Sequence, residues 1–89
     1  MKTIYKYKTV INDSFCIKLP KGAEILTIQL DGSLIHPFIY AIVETENEVE
    51  ERFFRLYGTG HEMSFSSIKP KYIGTYQLNG FVGHLFEGK

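Results

Sequence analysis

The chain is cut into short segments in which apolar and polar side chains alternate, each closed by turn-forming residues, and few folds accommodate that pattern. A strand points successive side chains to opposite faces, so period-two alternation over about four to eight residues marks a half-buried strand. Residues 3–10 read TIYKYKTV, placing Tyr5 and Tyr7 with Thr3 and Thr9 on one face and Lys6 and Lys8 with Ile4 on the other. Asn12-Asp13-Ser14 offers short side chains that bond local backbone groups, so the chain is expected to reverse there into a second strand at 15–19. That strand turns Phe15, Ile17 and Leu19 inward. Pro20-Lys21-Gly22 then interrupts the ladder, because proline lacks a donor and glycine accepts positive φ. A third strand resumes over 24–30, with Leu26, Ile28 and Leu30 sharing one face.

Asp31-Gly32, between apolar runs, predicts a hairpin, since a primed turn needs residues that tolerate positive φ. The return strand at 38–43 is apolar on both faces, which places it centrally in a sheet or against another subunit. Residues 44–47 form a polar turn. The next strand, 49–57, carries both arginines, with Phe53 and Tyr57 alternating against Arg52, Phe54 and Leu56. Residues 58–70, rich in Gly, Thr, His, Ser and Pro, read as a structured loop. The segment 71–78 alternates Tyr72, Tyr76 and Leu78 against Ile73, Thr75 and Gln77, and Asn79-Gly80 is the favoured type I′ pair before a closing strand at 81–86. About seven short strands with turns every 8 to 12 residues predict an all-β fold, a small antiparallel sandwich or partly open barrel.

The 89 residues are enough for one domain and no more. A chain this short buries only about 60–65% of its unfolded surface, which makes its stability marginal and self-association an expected source of support. Ten basic and ten acidic residues cancel, so no overall field draws the chain to nucleic acid or an anionic membrane. The single cysteine, Cys16, excludes an internal disulfide and a Cys-rich zinc site, suits a reducing compartment and is expected to pack as a small hydrophobe. The N-terminus does not read as a signal peptide, and the longest apolar stretch is far short of the roughly 20 residues that span a bilayer. A soluble intracellular protein without a membrane role is expected.

The segment most suggestive of a ligand is Gly58-Thr59-Gly60-His61, which follows the arginine-bearing strand. Its glycines allow backbone N–H groups to converge on an anion, the Thr59 hydroxyl is a donor, and His61 can donate or stack on a base. The spacing is not that of a Walker loop or a dinucleotide fingerprint, and a plain turn explains the same residues. Arg52 and Arg55 differ by an odd number, so they point to opposite faces of a regular strand and at most one meets a given phosphate. The competing reading for either is an ion pair with Glu48, Glu50 or Glu51. Together with Tyr57, these define the candidate ligand site: Arg52, Arg55, Tyr57, Gly58, Thr59, Gly60 and His61. His36, His61 and His84 lie on separate segments without metal spacing, and no nucleophile motif or carboxylate pair is spelled out. Neither catalysis nor a cofactor is expected.

The elements IYKY, LPKGAEIL, FRLYGTGH, YIGTYQLNG and HLFE together resemble a family of short proteins encoded by bacteriophages and prophages and known mainly as an uncharacterised domain. The resemblance spans nearly the whole chain and brings no catalytic residue assignment. It implies a phage protein acting in the host cytoplasm. Small phage β proteins of this kind look like counter-defence factors, some of them oligomeric sponges for cyclic ADP-ribose isomers or cyclic oligonucleotides. On that analogy the expected partner is a small phosphorylated nucleotide, bound by a homo-oligomer. The alternatives are inhibition of a host protein and a minor structural role.

Overall fold

A computed structural model describes residues 1–63 and 70–88. Seven strands run in chain order: β1 (Lys2–Lys8), β2 (Ser14–Pro20), β3 (Glu24–Gln29), β4 (Phe38–Glu44), β5 (Val49–Gly58), β6 (Lys71–Leu78) and β7 (Phe81–Glu87). All pairings are antiparallel. They form a smaller sheet ordered β1-β4-β3 and a larger one ordered β2-β5-β7-β6. The all-β expectation is met, and between its two forms the molecule is sandwich-like and not a closed barrel.

Alternation places the core between the sheets. β4 contributes Ile39, Ala41 and Val43, β5 contributes Phe54 and Leu56, and Leu19, Ile28, Tyr76, Leu78 and Leu85 fill the remaining space. The run 38–43, apolar on both faces, is the central strand of the smaller sheet. Its second face, with Phe38, Tyr40 and Ile42, is half-exposed. Thr9 caps the end of β1, its N–H and hydroxyl both donating to the Pro37 carbonyl at 3.0 Å.

Both turns read from the sequence are present. Asp31 and Gly32 adopt φ of 52° and 74°, Asn79 and Gly80 of 51° and 84°. The second pair closes a tight β6–β7 hairpin, Leu78 opposite Phe81. The first turns the chain, with Ser33 N–H donating to Leu30 O at 2.9 Å. The β3–β4 pairing nevertheless begins only at Gln29 opposite Phe38, so residues 30–37 form a longer connection. The polar turn after β4 is closed by Asn47 N–H donating to Glu44 O at 3.0 Å.

Four expectations are corrected. The chain does not fold back on β1 at residues 12–14: β1 pairs with β4 and β2 with β5, so this connection crosses between sheets. Leu26 does not join Ile28 inside. A register shift between Ile25 and Thr27 buries Ile25 and leaves Leu26 41% exposed. A second shift between Tyr72 and Gly74 likewise sends Tyr72 outward while Tyr76 stays in the core. A bulge adds one residue to one strand and resets the alternation beyond it, which a strict period-two reading cannot follow. The second shift coincides with a long-range contact: a Cβ at Gly74 would stand 3.0 Å from Ile28 Cγ2 on the facing sheet, so β6 and β3 approach closely there. Finally, Cys16 is exposed on β2 and not packed as a small hydrophobe. Of the loop expected over 58–70, residues 64–69 lie outside the described residues.

Tyr76 is the one core side chain among the described residues whose polar atom is buried without a hydrogen-bond partner. Burial pushes its phenol above the ordinary tyrosine range. An unsatisfied buried hydroxyl costs free energy that phenylalanine avoids at nearly the same volume. Tyr76→Phe is therefore expected to stabilise the fold by about 1 kcal/mol, seen as a rise of several degrees in Tm by thermal unfolding; a lower Tm would show that the hydroxyl is satisfied in solution.

Candidate functional site

Because Phe54, Leu56 and Leu85 are buried between the sheets, the residues alternating with them on β5 and β7 face outward. Cross-strand register then arranges this outer face in rows. Ser14, Arg55, Phe86 and Tyr72 lie side by side across β2, β5, β7 and β6. The next row sets Tyr57 beside His84 and Thr75. Adjacent strands are about 5 Å apart, so the side chains of a row are neighbours across the sheet. The Phe86 ring sits edge-on to Tyr57, centroids 5.9 Å apart, and tilted against Tyr72 at 5.4 Å.

The Gly58–His61 segment closes as a turn over the end of this face. His61 N–H donates to Gly58 O at 3.1 Å, and Gly60 takes φ of 87°. Thr59 N–H donates to Val82 O at 3.3 Å. Two of the amides that a phosphate cradle would use thus close the turn and tie it to β7. The Thr59 hydroxyl is engaged as well, 2.7 Å from His84 Nε2. A Cβ at Gly58 would stand 2.7 Å from His61 Cε1, so the imidazole lies directly over the glycine.

Five of the seven residues singled out in the sequence, Tyr57, Gly58, Thr59, Gly60 and His61, line one surface hollow of about 320 Å³. Met63, Tyr72, His84 and Phe86 complete it. Tyr57 and His61 also line an adjoining hollow of about 210 Å³ with Arg55, Asp13 and Glu62. Arg55 further borders a hollow of about 350 Å³ along β2 that includes Ser14, Cys16 and Phe53 and, among the described residues, no acidic side chain.

The arginines separate as their parity requires. Arg52 faces the inter-sheet side, where Nε and Nη2 donate to the Glu87 carboxylate, the latter at 3.0 Å, and Nη1 donates to Ala23 O at 2.8 Å. Hydrogen bonding to Glu87 holds its guanidinium still further above the ordinary arginine range. Arg52 therefore ties the end of β7 to the β2–β3 turn, and its main carboxylate partner is Glu87, with Glu50 at 3.8 Å. Arg55 is half-buried on the outer face, and its side chain makes no hydrogen bond or ion pair with the described residues. A guanidinium's planar fork can bind a carboxylate or phosphate bidentately; Asp13 and Glu62 border the same small hollow as Arg55 without pairing with it.

Sequence reasoning missed Tyr72, Thr75, His84 and Phe86. The signal was present in the Asn79-Gly80 turn: a two-residue turn fixes Leu78 opposite Phe81, and counting back places Thr75 opposite His84. Among the described residues, no group of three or more His, Cys, Asp and Glu side chains is arranged to hold a metal, and no helix is long and apolar enough to cross a membrane.

These roles predict a clear contrast. Arg52→Ala removes a bidentate pair and strands Glu87, and is expected to lower stability by about 1–3 kcal/mol. Arg55→Ala is expected to change stability by less than about 0.5 kcal/mol. Urea unfolding of both variants measures the difference; equal losses would contradict the assignment.

No curated protein and no solved structure matches the chain. A family model described as a domain of unknown function, DUF7352, matches residues 1–89. The chain therefore belongs to the DUF7352 family.

Proposed function

We propose that the protein binds a small phosphorylated nucleotide on the outer face of its larger sheet and acts by sequestering it, without catalysis. The observation that carries this reading is Arg55, half-buried and without a partner among the described residues, directly across from Phe86, which walls the aromatic hollow. Arginine beside aromatic rings supplies both things a nucleotide offers, an anion for the guanidinium fork and a flat ring for stacking. The phosphate lies at Arg55 toward the β2 hollow, whose lining carries no acidic side chain among the described residues. The ring enters between Tyr72, Phe86 and His61. Arg52 takes no part.

With this reading goes the biology implied by the resemblance to phage and prophage proteins. The protein is proposed to act in the host cytoplasm as a counter-defence sponge, binding a cyclic ADP-ribose type signal or a cyclic oligonucleotide as a homo-oligomer. A second reading, binding and inhibition of a host protein, is favoured by a different observation. Leu34 and Ile35 on the β3–β4 connection are 76% and 75% exposed, and Val10 and Ile11 on the β1–β2 connection are exposed too. Isolated apolar residues are ordinary on a surface, but clusters mark contact sites.

Isothermal titration with ADP, ADP-ribose, cyclic ADP-ribose isomers and cyclic oligonucleotides tests the first reading. At least one is expected to bind with Kd below about 10 μM, which corresponds to about 7 kcal/mol, and Arg55→Gln is expected to weaken it at least about tenfold. Failure of every compound, or undiminished binding by Arg55→Gln, would overturn it.

A further inference from the structure

Four polar side chains, two from β6, one from β7 and one from the turn after β5, form a continuous hydrogen-bonded chain on the outer face. Tyr72 Oη lies 2.5 Å from Thr75 Oγ1, Thr75 Oγ1 lies 2.9 Å from His84 Nδ1, and His84 Nε2 lies 2.7 Å from Thr59 Oγ1. These are three links. Each hydroxyl brings one proton and a neutral imidazole brings one more, so after every link is made one proton is left over.

Where it goes depends on the tautomer of His84. With Nδ1 protonated, His84 donates to Thr75, Thr75 donates to Tyr72, Thr59 donates to Nε2, and the spare proton is on Tyr72. With Nε2 protonated every link reverses: Tyr72 donates to Thr75, Thr75 donates to Nδ1, His84 donates to Thr59, and the spare proton is on Thr59. In both states one end of the chain is a donor and the other end keeps only lone pairs to offer. Both ends, Tyr72 and Thr59, line the 320 Å³ hollow, whereas Thr75, in the middle of the chain, does not.

A ligand that meets both ends must accept at one and donate at the other. A phosphate, which at neutral pH mainly accepts, satisfies one end alone. A pair of hydroxyls on one ring satisfies both, in either polarity. The hollow also contains the Tyr57 and Phe86 rings and Met63, apolar surface suited to the C–H face of a sugar. We propose that the Tyr72–Thr75–His84–Thr59 chain reads a vicinal diol, so that the ligand of this hollow is a ribose compound and its deoxy counterpart is rejected. The proposal rests on the nucleotide reading above and names the part of the nucleotide that the hollow holds.

Isothermal titration of the intact protein with ADP and with 2′,3′-dideoxy-ADP tests it. The ribose compound is expected to bind at least about tenfold more tightly, because a site built to bond hydroxyls leaves polar groups unpaired when they are missing. Thr75→Val cuts the chain without altering the lining of the hollow. It is expected to bring the ratio of affinities toward one while leaving the dideoxy affinity unchanged, with circular dichroism confirming the fold. Equal binding of the two compounds by the wild type would overturn the diol proposal and leave the nucleotide reading standing. Discrimination that survives Thr75→Val would show that the chain does not set it. Binding of neither compound would overturn the diol proposal and count against the nucleotide reading too.

Discussion

Everything on the outer face of the larger sheet is fixed by which side chains of β5 and β7 are buried. Phe54, Leu56 and Leu85 are fully or almost fully withdrawn from water, each contributing about 1.5–3 kcal/mol by transfer out of it. A slip of one residue in either strand would exchange this set for Arg55, Tyr57, His84 and Phe86. Such a slip would put a guanidinium and an imidazole where Phe54 and Leu85 now pack among apolar side chains. The register is therefore strongly specified, and the aromatic and polar rows outside follow from it as a geometric consequence.

The same parity divides the two arginines. Arg52 shares a face with Phe54 and Leu56 and ends beside Glu87 and the Ala23 carbonyl, where its charge is matched and its fork filled. Arg55, one strand face away, has neither. Residues three apart in sequence thus serve different purposes. One fastens the open end of the larger sheet to the β2–β3 turn; the other is the group to which the proposed function assigns the anion. Keeping a guanidinium half-buried and unpaired opposes stability, and binding an anion offsets that penalty.

Much of the fold was legible because it is local. Asp31-Gly32 and Asn79-Gly80 need positive φ, and both adopt it; alternation in β2, β4 and β5 marks the buried face directly. The errors arose where a local rule met a long-range constraint. Leu26 and Tyr72 were assigned to the wrong face because a bulge in β3 and another in β6 reset the alternation, and the close approach of Gly74 to Ile28 across the sheets is invisible to any window of sequence. The partners of β1 and β2 lie on strands far along the chain, so turn residues at 12–14 showed that the chain bends there without showing what it meets. At the candidate site, parity separated Arg52 from Arg55 correctly, and the 57–61 segment does line one hollow. The hollow's other wall, from β6 and β7, joined it only through pairing.

The central claim is that this outer face holds a phosphorylated nucleotide. The most direct test is mass spectrometry of small molecules released on denaturing protein purified under native conditions from bacterial cells with an active nucleotide-signalling defence. The account predicts a phosphorylated ribonucleoside compound retained in near-stoichiometric amount by the wild-type chain and lost from an Arg55→Gln variant of equal stability. Wild-type protein that releases no such compound, or an Arg55→Gln variant that retains it equally, would contradict the account.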